Sequence, residues 1–250
     1  MRLRTMVLAG IAAYLAFLAA TVPATFVIAR ARAAAPGLQV TDEHGTLWSG
    51  HARAAIASPG AAVAFDRVEW AIEPRALAAG RIAFRVSATG NGIDARTTLA
   101  RGWSTWSAGD TAARMDAALF PAFVPLAAAW RPEGVVTLDS SGMEWSDDGA
   151  MRGAFRVDWQ AAAVAFSDVK PLGRYVVEVR GDGGPVSVNV TSPEGPLRIA
   201  GQGSIAQGRF SFSGEARGEG DQARALEPIL GLMGARRPDG AHALQVTIQR

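Results

Sequence analysis

Apolar and polar side chains alternate one for one through most of the chain beyond Pro36-Gly37. Val68, Trp70 and Ile72 alternate with Glu69, Ala71 and Glu73, and Ile82, Phe84 and Val86 with Arg81, Ala83 and Arg85. The pattern returns at Phe155, Val157 and Trp159, at Tyr175, Val177 and Val179, at Val186, Val188 and Val190, and at Phe210 and Phe212. A period of two sends successive side chains to opposite faces, so each run predicts a strand with one apolar and one solvated face. Turn signals separate the runs at short intervals: Gly90-Asn91-Gly92, Asp147-Asp148-Gly149, Gly181-Asp182-Gly183-Gly184, Pro193-Glu194-Gly195-Pro196 and Gln207-Gly208. Turns this short join antiparallel neighbours, whereas parallel units need helix-length connections that are nearly absent here. The expected fold class is therefore mainly β, a long curved antiparallel meander sheet with one or two short helices.

Two segments break the alternation. Leu119 to Trp130 carries Pro121 and Pro125 and predicts a short helix or an irregular crossover. Asp221 to Met233 places Ala225, Leu226, Ile229, Leu230 and Met233 at helical spacing, with Asp221 as the expected cap and Gly234 and Pro238 as the stop. His242 to Ile248 then reads as a final strand. Residues 45–86 and 134–180 share a loose order of glycines, Trp-bearing strands and a further strand, as two related halves of one sheet would.

The N-terminal segment is of another kind. From Thr5 to Ala29 no residue is charged. A membrane span needs about 20 apolar residues, while a secretory h-region is usually about 7–15, so the length favours an uncleaved anchor. Ala29-Arg30-Ala31 and Ala31-Arg32-Ala33 nevertheless resemble small-residue cleavage sites. Arg2 and Arg4 on one side balance Arg30 and Arg32 on the other, so the positive-inside count is a tie. A short tail left inside, with the body translocated, is the simpler outcome. The expected organisation is a cytoplasmic tail and single transmembrane helix over residues 1–33, and a periplasmic β domain over 34–250.

The anchor changes the meaning of the charge. The sequence pI of 9.6 suggests a basic protein. Without the four arginines that flank the anchor, 21 basic residues remain against 23 acidic ones. Lys170 is the only lysine, and the arginines are scattered singly, often beside Asp or Glu. A nucleic-acid partner is not expected, because phosphate binding concentrates basic residues on one face. The chain has no cysteine, which removes disulfides and Cys-ligated metals.

Catalytic signatures are missing. There are three histidines and no HExxH, no GxSxG elbow and no phosphate-binding lysine after a glycine-rich loop. Gly201-Gln202-Gly203-Ser204-Ile205-Ala206 has the GxGxxA spacing of a dinucleotide fingerprint, but a strand-like segment follows where a helix N-terminus should, so a hairpin turn is expected instead. His44 and His51 could meet across a hairpin, yet two imidazoles alone make a poor metal site. Asp147-Asp148 lacks the spaced ligands of a calcium loop and reads as a tight turn. Asn189-Val190-Thr191 matches a glycosylation acceptor but lies mid-strand. The seven tryptophans (48, 70, 103, 106, 130, 145 and 159) are expected mainly in a sheet core. No enzyme is expected, and no catalytic, cofactor-binding or metal-ligating residues are assigned; a hydrolase with paired carboxylates stays open only because spatial pairs are invisible in sequence.

The order of motifs carries a resemblance. Gly45-Thr46-Leu47-Trp48-Ser49-Gly50 is followed by Val68-x-Trp70-x-Ile72-x-Pro74-x-x-Leu77-x-x-Gly80. Gly134-Val135-Val136-Thr137-Leu138, Met143-Glu144-Trp145 and Trp159-Gln160-Ala161 come next, then Pro171-Leu172-Gly173-Arg174-Tyr175, Glu194-Gly195-Pro196-Leu197 and Asp239-Gly240. With the N-terminal anchor, this order resembles protein N of bacterial type II secretion systems across almost the whole chain. The resemblance implies an accessory inner-membrane subunit with a periplasmic β domain, serving export of folded proteins across the outer membrane. It implies other inner-membrane secretion components as partners and brings no catalytic residues. The alternative is a membrane-anchored β-groove that binds or transfers lipid on its apolar sheet face. A reporter fused after Arg250 is expected to be active only outside the cytoplasm; activity confined to the cytoplasm refutes the orientation.

Overall fold

A computed structural model describes residues 22–34, 37–58 and 61–249. The chain forms one antiparallel sheet whose strands pair almost entirely in sequence order. They are β1 (Leu38–Gly45), β2 (Ser49–Ser58), β3 (Ala61–Ile72), β4 (Ile82–Gly90), β5 (Ile93–Arg101), β6 (Thr105–Ala108), β7 (Thr111–Asp116), β8 (Glu133–Ser146), β9 (Met151–Ala163), β10 (Gly173–Asp182), β11 (Val186–Glu194), β12 (Leu197–Ala206), β13 (Arg209–Gly218) and β14 (His242–Gln249). β6 and β7 together fill one position, both pairing with β5 and β8. Among the described residues three α-helices accompany the sheet: α1 (Thr25–Ala34), α2 (Pro74–Ala78) and α3 (Ala223–Met233). The expected turns sit where the hairpins reverse; at β12–β13, Gln207 (φ 51°) and Gly208 (φ 73°) form the two-residue left-handed turn that matches strand twist.

Register carries the alternation across the whole sheet. Trp70 faces Val86, which faces Thr97. Val136, Trp159 and Tyr175 lie in one row, and Val179, Val188, Gly203, Phe212 and Val246 in another. These rows share one face, so the face is apolar from β1 to β14. Its polar members are few. Thr97 and Thr111 bond each other through their hydroxyls at 2.7 Å, and Arg101 and His242 sit near its ends. The other face carries the charges, among them Arg85, Arg96, Arg114, Arg156, Glu178, Arg198 and Glu215.

An apolar sheet face needs a cover, and three different segments supply it. On β2 and β3, Ile28 of α1 and Ala24 just before it lie against Ala52 and Trp70. Near β3, β5 and β7, the 3-10 turn Ala117–Ala122 sets Leu119 and Ala122 against Val63, Phe65, Ile93 and Met115. At the C-terminal side, α3 presses Leu226, Ile229 and Leu230 onto Tyr175, Leu197 and Ala216, with Val164, Val169 and Leu172 from the β9–β10 connection. The short Ala117–Ala122 turn touches β2 and β3 on one side and β7 and β8 on the other. Strands lie about 4.8 Å apart, so these span roughly 24 Å in a flat sheet, while six 3-10 residues rise about 12 Å. The sheet therefore curls around this turn toward its apolar face.

Several expectations change. Of the uncharged Thr5–Ala29 run, residues 5–21 lie outside the described residues. Residues 22–29 join the fold: the Leu47 N–H donates to the Val22 carbonyl at 2.8 Å, and Pro23 pairs with Thr46. No helix among the described residues is long and apolar enough to cross a membrane. Asp221 does not cap α3; a 3-10 turn over Gly220–Gln222 precedes the helix and Gln222 is its N-cap, without a side-chain bond. The two resembling segments do fold alike locally. Trp70 donates its indole N–H to the Thr46 carbonyl at 3.1 Å, and Trp159 donates to the Glu133 carbonyl at 3.0 Å, each tying the end of a hairpin to its start. The two hairpins run in opposite directions within one continuous sheet.

Leu226 has no exposed surface. Leu226→Ala is expected to cost about 2–5 kcal/mol, the range for emptying a buried leucine site, read as a lower denaturation midpoint with an unchanged slope.

Candidate interaction surface

The charged face is built as a lattice of ion pairs across neighbouring strands. Arg156 donates to Glu178 at 2.8 Å, Arg198 to Glu219 at 2.8 Å, and Arg85 to Glu73 at 2.7 Å. Most are half-exposed and contribute little each. The exception is Asp158, 6% exposed, which accepts two bonds from the Arg174 Nε at 2.9 and 3.1 Å and another from its terminal nitrogen. Those bonds hold the Asp158 carboxyl below the usual carboxylate range, and the Arg174 and Arg156 charges act in the same direction. Beside them lies a shallow hollow lined by Asp139, Ser140, Arg156, Glu178 and Arg180.

The residues singled out from the sequence fall as follows. His44 and His51 do meet across β1–β2, with ring centroids 5.4 Å apart. Among the described residues no three His, Cys, Asp or Glu side chains are grouped to hold a metal ion. Asp147 and Asp148 do form a tight turn: Asp147 takes two bonds from Arg101, at 2.8 and 2.9 Å, while Asp148 accepts from the Ser146 hydroxyl and the Ala150 N–H. Asn189 lies inside β11. Gly201 to Ala206 is not a turn but the second half of β12. Its glycines make room for aromatics, since a Cβ on Gly201 would run into the Phe212 ring. Phe210 and Phe212 stack there over the apolar face.

The tryptophans depart furthest from expectation. Of the seven only Trp70 is buried, while Trp103, Trp106 and Trp130 are exposed. Trp103 stands on the β5–β6 turn, and Trp106 lies under the Arg101 guanidinium, 5.0 Å from the ring centroid. Aromatic rings next to a turn, as in Gly102-Trp103-Ser104-Thr105-Trp106, are the sequence signal for this exposure, because a hairpin tip has no second layer to bury them. At the opposite end of the apolar face Tyr175 is buried and donates its hydroxyl to the Leu197 carbonyl at 3.0 Å; burial pushes its pKa above the usual phenol value. His242 is also buried there: one ring nitrogen bonds the Gly234 carbonyl at 2.9 Å, and Nε2 has no hydrogen-bond partner.

These features define a class: a single-sheet antiparallel meander with one apolar face, partly covered, and one charged face. The profile of the type II secretion system (T2SS) protein N family matches residues 36–245. The chain belongs to that family and is a type II secretion system component. No curated protein and no solved structure matches it.

Asp158→Asn is expected to cost about 1.5–3 kcal/mol, the range for hydrogen bonds to a charged group. Because the folded Asp158 pKa is lowered, its stabilisation is present above the unfolded carboxylate pKa of about 3.9 and is lost as pH falls through the folded value. Unfolding curves of wild type and variant should therefore differ at neutral pH and converge at strongly acidic pH.

Proposed function

We propose that this protein is an accessory inner-membrane subunit of a type II secretion system, a structural or interaction component with its β domain on the periplasmic side and no catalytic activity. The family match over residues 36–245 carries this reading. The uncharged run beginning at Thr5 supports a membrane anchor, since its length suits a span better than a cleaved signal. The charged face supports an interaction role: Glu178, Asp158 and Glu219 are engaged there in ion pairs with arginines.

A second reading rests on a separate observation. The apolar face stays partly open toward its C-terminal edge, where Ile205, Val246 and Ile248 are exposed, so a lipid or other apolar ligand could lie there. Against it, α3 closes one end of that region, and the Phe210–Phe212 stack fills the space over Gly201 and Gly203.

Purification from native membranes is expected to recover other inner-membrane secretion components with the chain, and deletion to lower secretion in a way the full chain restores. Repeated isolation without such partners, together with normal secretion in the deletion strain, overturns the assignment. Mass spectrometry of the chain held in amphipol decides the second reading: lipid in fixed stoichiometry favours it, and none removes it.

A further inference from the structure

Exposed large apolar side chains gather at both ends of the strands, and one end is also where the N-terminal segment enters the fold. β1, β3 and β5 end there, and β2, β4 and β6 begin there. On that rim Trp103 is 94% exposed, Ile82 48%, Trp106 42% and Leu77 40%. Arg75 and Arg81 stand among them and form no ion pair among the described residues; Arg101 covers Trp106. A Cβ on Gly102 would lie 4.0 Å from the Arg81 side chain, so the α2 connection and the β5–β6 turn adjoin. Tryptophans beside arginines, with aliphatic side chains between them, are the composition that settles at a membrane–water interface, where rings sit at headgroup level and guanidinium groups meet phosphates.

We propose that this rim is a bilayer-docking surface, its occupant the headgroup layer of an anionic phospholipid membrane. The proposal rests on the reading of the N-terminal run as a membrane anchor, and connectivity supplies the argument. Thr5 to Thr21 is 17 uncharged residues, at the short end of the roughly 17–25 that span a hydrocarbon core. The next residue is Val22, where the fold begins and whose carbonyl already accepts from the β1–β2 turn on the same rim. No linker separates the two, so a membrane-embedded run brings the rim to the bilayer surface. The opposite rim, with Trp130 and Phe166, lies a strand length away, about 30–40 Å for strands of this size, beyond reach of that surface.

The chain lacks cysteine, so single labels can be placed in the full-length protein. Trp103→Cys and Trp130→Cys, each spin-labelled and reconstituted into phosphatidylglycerol-containing vesicles, are compared by accessibility to oxygen and to a water-soluble nickel chelate. The label at 103 is expected to shift toward oxygen and away from nickel on reconstitution, and the label at 130 to stay nickel-accessible. If the chain floats with vesicles through alkaline extraction while both labels read as aqueous, the rim proposal fails and the anchor stands. If the chain does not float at all, the anchor fails and the rim proposal falls with it. A membrane signal at 130 but not at 103 reverses the geometry and also refutes it.

Discussion

An apolar sheet face that runs from β1 to β14 has to be hidden from water, and no single helix is wide enough to hide it. Each exposed apolar Å² costs about 25 cal/mol, so the arrangement of covers governs the rest of the structure. The cover comes from three unrelated segments, α1 from before the sheet, a 3-10 turn from its middle and α3 from near its end. Between them the sheet helps to hide itself, with Val179, Val186 and Val188 buried among strand neighbours such as Phe155 and Phe210. Curling toward the apolar face and filling glycine gaps with phenylalanine rings reduce the area that remains to be covered.

This divided cover explains how much of the fold was legible in the sequence. The strands were, because Val186-x-Val188-x-Val190 or Ile82-x-Phe84-x-Val86 records which side chains share a face regardless of what lies above. α3 was legible from the spacing of Leu226, Ile229 and Leu230. What covers what was not, since alternation carries no information about the second layer. The tryptophans show the same limit. Trp70 and Trp103 look equivalent in composition, but one lies under α1 and the other on a turn with nothing above it. Gly201-x-Gly203 misled for a local reason: glycines that suggest a turn can equally clear space for a ring on the next strand. Residues 22–29 were assigned by charge to the anchor, whereas Ala24 and Ile28 satisfy a sheet face as readily as a bilayer.

The candidate surface was harder to foresee because it is defined by position rather than by motif. Asp158 and Arg174 are inconspicuous in sequence, sixteen residues apart, and become a pair, with the carboxylate buried, only through the β9–β10 register. His44 and His51 were visible as hairpin partners and do meet across β1–β2.

The divided position between β5 and β8 has a mechanical consequence. β4 and β5 are joined by nine facing residue pairs, whereas β5 meets β6 through three and β7 through four. Gly109 and Asp110 interrupt the strand, held only where the Gly109 N–H reaches the Thr98 carbonyl and the Thr111 hydroxyl returns to the Gly109 carbonyl. A bulge in β8 between Asp139 and Gly142 faces the same gap. Tension drawn across the sheet is carried here by seven facing pairs split between two short strands rather than by nine along one, and a parting along β5 would leave a five-strand leaf, β1–β5, and a nine-strand leaf, β6–β14.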